Sequence, residues 1–407
     1  MQLYEHQIQA LKTVEGRRQV AFYHTMGAGK TFTGSEQLKK YNNKYNLVIC
    51  QKSKIDDWVE HFKTYYPEYE VIDFTKKQEI KEGIIVVNYE LAWRRPVLTK
   101  LTNFTLMLDE SSLISNENAK RTKFILQKLK PTNVILLSGT PVDGKYEQLW
   151  SQSRLLGWDI SKKEFYDRYI ITQDLNIKFC PFPIKTVVGY RNVEELKSML
   201  RFYGANFLRI EDVLNLPETT FTTIRVDQIP EYKKFSKNKV VEIDGDTLVG
   251  DNVLTYGLYK RMLCSVYNKN KIEAFKDILD STEERLIVFY NFNKELEKLK
   301  EIAKNRPISV VNGSEKNLEA YENENNSITF IQYQAGAMGL NLQKANKIIY
   351  FSLPLKCEYY MQSQKRIHRI GQERPCFYYI LETKNSIEED IKKSLEKKED
   401  YTLALYD

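Results

Sequence analysis

The chain has 407 residues, 42% hydrophobic and 28% charged, with a formal net charge of +7, which excludes a disordered chain and suits two domains of about 200 residues each. No apolar run approaches the roughly 20 residues of a membrane span, Met1-Gln2-Leu3-Tyr4-Glu5 lacks a signal-peptide pattern, and the five scattered cysteines predict neither a disulfide framework nor a zinc site. A cytoplasmic protein without a membrane partner is expected, and the excess of 61 Lys and Arg over 54 Asp and Glu has the sign that a phosphate-backbone partner requires.

Near the start, Gln7 carries an amide able to pair with both edges of adenine. His24-Thr25-Met26-Gly27-Ala28-Gly29-Lys30-Thr31 then predicts a P-loop for ATP. Gly27, Ala28 and Gly29 bring backbone N–H groups close to a triphosphate, Lys30 reaches the β and γ phosphates, and the Thr31 hydroxyl suits Mg2+. His24 stands where the pattern has its first glycine.

Apolar runs at 47–50, 84–87, 106–108 and 134–137 alternate with charged, helix-compatible segments. Unbroken hydrophobicity is what a parallel sheet covered on both faces demands. Asp109-Glu110 closes the third run and so belongs at the C-terminal edge of a central strand, where α/β sheets bind ligands. Asp109 is a candidate for holding Mg2+, usually through water, and Glu110 for orienting and deprotonating the attacking water. Ser138-Gly139-Thr140-Pro141 closes the next run with hydroxyls suited to bonding the acidic pair.

From roughly 150 to 275 the strand signal fades, and stretches such as 163–169 and 256–263 predict helices, with a break at Leu216-Pro217. After about 280, apolar runs at 286–289, 309–311, 328–331, 348–351 and 377–380 predict a second α/β lobe. Arg366 and Arg369, at i and i+3, would share one side of a helix and present permanent cations to the charge of phosphoryl transfer. With the P-loop they read as two halves of one ATP site. Ser386-Ile387-Glu388-Glu389 has capping-box spacing ahead of an apolar stripe, Ile387, Ile391 and Leu395. The expected division is an N-terminal lobe over 1–220 and a C-terminal lobe over 221–407, with a helical insertion at about 221–275.

In order, these segments resemble the motifs of superfamily 2 helicases, and within them of the Swi/Snf-like DNA translocases, over nearly the whole chain. The most specific piece is Arg366-Ile367-His368-Arg369-Ile370-Gly371-Gln372; Asn88-Tyr89-Glu90, Asn312-Gly313-Ser314 and Gly336-Ala337-Met338-Gly339-Leu340-Asn341-Leu342 support it. The resemblance implies an α/β fold of two RecA-like parallel-sheet lobes in tandem, with helical insertions, ATP and Mg2+ between the lobes and nucleic acid crossing both. It implies that Gln7 reads adenine, Lys30 and Thr31 hold the phosphates and magnesium, Glu110 handles the water, Arg366 and Arg369 act across the cleft, and Gly339 lies near the ribose.

The same resemblance implies DNA-stimulated ATP hydrolysis coupled to translocation along or remodelling of DNA, with duplex favoured and single strands as a further substrate. Lys52, Ser53 and the backbone near Asn312-Gly313 are candidate DNA contacts. Ser111-Ser112 departs from the family pattern where it bears on coupling, and Gln332-Tyr333-Gln334 and 351–354 depart where they bear on DNA preference more than on hydrolysis. A bare, monomeric motor similar to compact phage or bacterial types is expected, nucleoid-associated in use and recruited by replication or recombination proteins. The alternatives are a strand-separating DNA or RNA helicase and a low-turnover, nucleotide-dependent DNA-binding assembly factor; intact Lys30, Glu110, Arg366 and Arg369 count against the second.

Overall fold

The computed structural model describes residues 2–175, 184–336 and 340–406, so Gly339 lies outside the described residues. Met1–Leu214 together with Asp400–Asp407 form one compact unit, and Asn215–Glu399 form the other.

The first unit holds strands β1 (Gln19–His24), β2 (Tyr45–Cys50), β3 (Val71–Asp73), β4 (Gly83–Asn88), β5 (Phe104–Asp109) and β6 (Asn133–Ser138). A separate antiparallel hairpin, β7 (Ile170–Leu175) with β8 (Ile184–Tyr190), precedes β9 (Ala205–Leu208). The sheet order is β3-β4-β2-β5-β6-β1-β9, with every pairing parallel.

Alternation along each strand explains the unbroken apolar runs. Leu47, Ile49, Ile85, Val87, Leu106, Leu108 and Leu136 enter one core, while Val48, Cys50, Ile84, Val86, Met107, Ile135 and Leu137 enter another on the opposite face. Successive side chains point to opposite faces, so a sheet covered twice needs an apolar residue at every position. Helices α1 (Glu5–Thr13), α2 (Lys30–Tyr41) and α3 (Ile55–Tyr65) contribute Leu11, Leu38, Trp58 and Phe62 to the second of these cores. Gly34 lets α2 approach closely, since a Cβ there would lie 2.9 Å from a Leu137 methyl and 3.2 Å from Met107 Sδ.

The residues from 400 onward are built into this same unit. Gly144 N–H donates to Thr402 Oγ1 at 3.1 Å, Arg209 Nη2 donates to Leu403 O at 2.8 Å, and the buried Tyr406 hydroxyl donates to Gly139 O at 2.8 Å.

The second unit contains β10 (Thr219–Val226), the hairpin β11 (Val240–Ile243) and β12 (Asp246–Val249), then β13 (Leu286–Tyr290), β14 (Ile308–Val311), β15 (Lys316–Asn317), β16 (Ile328–Gln332), β17 (Lys347–Tyr350) and β18 (Cys376–Thr383). Its main sheet runs β10-β18-β17-β13-β16-β14-β15, parallel except where β15 folds back on β14.

The stretch expected to be helical does contain helices, among them Lys162–Tyr169, Pro230–Asn238 and Val253–Ser265. It also contains strands that the apolar-run criterion passed over. β10 reads Thr-Thr-Phe-Thr-Thr-Ile-Arg-Val and its first four residues are exposed, because an edge strand covered poorly on its faces does not need the continuous hydrophobicity of a central one.

The final helix runs Ile387–Leu403, with Ile391 and Leu395 buried. Its start differs in detail from a capping box: Ser386 Oγ accepts from Glu388 N, and the Glu389 carboxylate accepts from Asn385 N. The capping groups are therefore used one residue away from the expected partners.

Candidate nucleotide-binding site

Three of the predicted segments meet at the C-terminal edge of the first sheet. β1 ends at His24, and β5 and β6, consecutive neighbours in the sheet, end at Asp109 and Ser138. The loop after β1 turns through Gly27 and Gly29, at φ +88° and +74°, a backbone conformation that glycine adopts without cost. Lys30 and Thr31 then open α2, with Thr31 exposed. The helix dipole at this N-terminus favours an anion here.

The loop is braced from below. Gln7 Nε2 donates to Gly29 O at 2.9 Å while Tyr4 N–H donates to Gln7 Oε1 at 2.9 Å, and His6 Nε2 donates to Ala28 O at 3.0 Å. Gln7 thus lies against the P-loop, with both ends of its amide engaged. Lys30 Nζ donates to His24 O at 2.9 Å. Gly139 flanks it, for a Cβ at that position would lie 3.1 Å from Lys30 Nζ.

The residue that replaces the first glycine is accommodated by burial. The enclosed His24 ring donates from Nε2 to Asn206 Oδ1 at 2.7 Å, and burial lowers its pKa to about 3. It stays neutral at physiological pH and adds no charge beside Lys30.

Asp109 and Glu110 stand next to this loop. Burial raises the pKa of Asp109, opposed by the Trp58 N–H and the charges of Lys30 and Lys54; Trp58 Nε1 donates to Asp109 Oδ2 at 2.9 Å. Glu110 adopts φ +52°, unusual for a residue with a side chain. Ser138 Oγ donates to Glu110 Oε2 at 3.3 Å, the contact expected of that segment. Beneath the pair, buried Gln152 accepts at Oε1 from Tyr23 OH (2.9 Å) and Ser111 Oγ (2.8 Å), and donates to Pro141 O at 2.7 Å.

The donor set fits magnesium carried in with a nucleotide. Mg2+ is typically held by one or two carboxylates or hydroxyls plus substrate phosphates. Asp109, its orientation fixed by an indole N–H, and the exposed Thr31 hydroxyl meet that description. Among the described residues no group of three or more His, Cys, Asp or Glu side chains could hold a metal ion unaided.

Arg366 and Arg369 belong to the second unit. The expectation that they share a helical face is not met: the helix Cys357–Gln364 ends before them, and both lie in turns. Long-range bonds determine this stretch. Gln372 Nε2 donates to Ala345 O at 2.8 Å and Gln343 O at 3.1 Å, and His368 Nε2 donates to Pro217 O at 3.0 Å.

Trp58, Tyr89, Asn206 and Gln152 were not singled out as site residues from the sequence. Each acts through a partner 20 to 182 positions away, and only the sheet order brings these partners together.

A glycine-rich loop, an acidic pair and a hydroxyl-bearing turn thus meet on adjacent strand ends, and these are the segments that resemble superfamily 2 motifs. A family model described as the SNF2-related domain matches residues 6–338, and the chain belongs to that family of Swi/Snf-like ATPases. It is 24% identical over 425 residues to the mouse SWI/SNF-related matrix-associated actin-dependent regulator of chromatin subfamily A member 1, covering 90% of this chain and 39% of that protein. An uncharacterized ATP-dependent helicase of Mycoplasma pneumoniae is 26% identical over 412 residues, 90% of this chain and 38% of that one. The chain thus spans about two fifths of the length of these relatives. Among solved structures, a Sulfolobus solfataricus SWI2/SNF2 ATPase core in complex with dsDNA is similar at 20% identity and a TM-score of 0.47, covering 100% of this chain and 95% of that chain.

Proposed function

We propose that this protein is a DNA-stimulated ATPase that couples hydrolysis to translocation along, or remodelling of, double-stranded DNA. The observation that carries the reading is the convergence of Lys30, Asp109, Glu110 and Ser138 on one sheet edge in a chain of the SNF2-related family. Lys30 binds the β and γ phosphates, and Glu110, aimed by its left-handed backbone and bonded to Ser138, orients and deprotonates the attacking water. Thr31 and Asp109 would hold Mg2+, which when bound supplies neutralising charge to the phosphate oxygens. Arg366 and Arg369 supply cationic charge to the transferring phosphoryl group, and Gln7 reads the adenine.

Lys52 and Ser53, in the turn after β2, line up as contacts to a DNA backbone, and the backbone near Asn312-Gly313 is the corresponding candidate in the second unit. Monomeric action, use at the nucleoid and recruitment by replication or recombination proteins complete the proposal.

The decisive measurement is the ATP hydrolysis rate with no polymer, single-stranded DNA, duplex DNA and RNA. Strong stimulation by duplex DNA is expected; a rate indifferent to all three polymers overturns the reading. Triplex displacement run beside forked-strand separation distinguishes duplex translocation from unwinding. Glu110→Gln should bind ATP and lose turnover by at least ~100-fold, the size associated with a positioned general base.

A further inference from the structure

We propose that Trp58 and Tyr89 are positioning residues for the acidic pair, one fixing the Asp109 carboxylate and the other fixing the strained backbone that aims Glu110. This rests on the nucleotide-site reading above. Trp58 Nε1 donates to Asp109 Oδ2 at 2.9 Å. Tyr89 OH donates to Asp109 O at 2.9 Å, with Glu110 O at 3.4 Å. A carboxylate alone at a strand end has several rotamers, and a non-glycine residue at φ +52° persists only where its surroundings hold it. The two aromatic donors supply both restraints.

Neither ring can swing away easily. Trp58 and Tyr89 are each only 3% exposed, and Trp58 is packed against Phe62 and edge-on to His61, with ring centroids 5.5 and 5.6 Å away. A donor locked by its own packing orients a metal-binding carboxylate more firmly than water can.

The two residues also share an outer address. Trp58 lies one turn into α3, which begins at Ile55, and Tyr89 lies between Asn88 and Glu90. Ile55, Asn88 and Glu90, with Lys52, line one cleft of about 390 Å³. A phosphate-bearing strand seated there would bear on the same two segments that hold the acidic pair.

The test uses Trp58→Phe and Tyr89→Phe; both delete the donor, Tyr89→Phe keeping its ring and Trp58→Phe replacing the indole with a smaller aromatic ring. Binding of a non-hydrolysable ATP analogue is measured at equilibrium across a Mg2+ titration, beside duplex-stimulated turnover and thermal unfolding. Trp58→Phe should leave Mg2+-free nucleotide affinity unchanged and raise the half-saturating Mg2+ concentration about tenfold, the scale expected when a metal ligand loses its orienting partner. Tyr89→Phe should lower kcat about tenfold with KM for ATP unchanged. Lower melting temperatures with wild-type Mg2+ dependence and kcat would show that both residues only pack, and would overturn the proposal. Should Trp58→Phe fail to fold, the kcat of Tyr89→Phe decides. A wild-type protein without Mg2+-dependent nucleotide binding would instead refute the nucleotide reading itself.

Discussion

Two histidines in the first unit make its stability depend on pH. Burial lowers His24 to about 3 and His61 to about 4, from the ordinary 6.5. Below pH 6.5 the unfolded chain takes up protons at these positions while the folded chain does not, so stability is full above that pH and is lost as pH falls toward 4. The slope is at most ~1.4 kcal/mol per pH unit for each ring. Thermal unfolding followed from pH 7.5 to 4.5 should show the melting temperature falling through this window, with a shallower fall in His61→Gln. Gly29 makes a sharper local demand. Its φ is +74° and a Cβ would lie 2.4 Å from Gln7 Nε2, so Gly29→Ala should cost ~1–3 kcal/mol of stability and weaken nucleotide binding in an equilibrium titration. The P-loop was legible because its chemistry is contiguous in sequence. Trp58 was not, because its partner Asp109 lies 51 residues away and no spacing rule links a residue of α3 to the end of β5.

α2 carries Lys30 and is set on the sheet by Gly34, which faces Leu137 and Met107. Gly34→Ala sets overpacking on the Leu137 and Met107 side-chain ends against a helix-propensity gain, so it should destabilise the fold by no more than ~2 kcal/mol, and a displaced helix should weaken nucleotide binding in the same variant; urea unfolding and a binding titration check both. In the second unit, Lys271 and Glu388 form a buried ion pair at 2.6 Å, with Lys271 also donating to Phe351 O at 3.1 Å and Glu388 accepting from Thr383 N at 2.9 Å. Lys271→Met leaves that carboxylate enclosed without its cation and should cost ~3–5 kcal/mol, whereas Lys271→Met combined with Glu388→Leu should cost much less. Central strands were readable from their apolar runs, since both faces of each are covered. β10 escaped notice because an edge strand with threonines on its exposed half looks like a loop, and the turns around Arg366 and Arg369 because the Gln372 amide that shapes them bonds carbonyls 27 and 29 residues away.

For the molecule as a whole, a net charge of +7 and the proposed phosphate-backbone partner predict binding governed by released counterions. Duplex affinity should fall by at least ~10-fold between 50 and 200 mM salt, read by fluorescence anisotropy, while basal hydrolysis without DNA changes little. A flat salt response would rule out backbone gripping as the main source of affinity. The two-lobed α/β plan was visible in advance in the return of apolar runs after residue 280; the closing of the first unit by residues 400–407 was not, since Asp-Tyr-Thr-Leu-Ala-Leu-Tyr-Asp carries no pattern naming its docking site. That closure has a consequence for biogenesis. The chain departs from the first unit after Leu214 and returns to it only after 185 intervening residues, Asn215–Glu399, so during synthesis the P-loop unit lacks the hydrogen bonds that Thr402 and Tyr406 make to Gly144 and Gly139 until those residues have emerged from the ribosome.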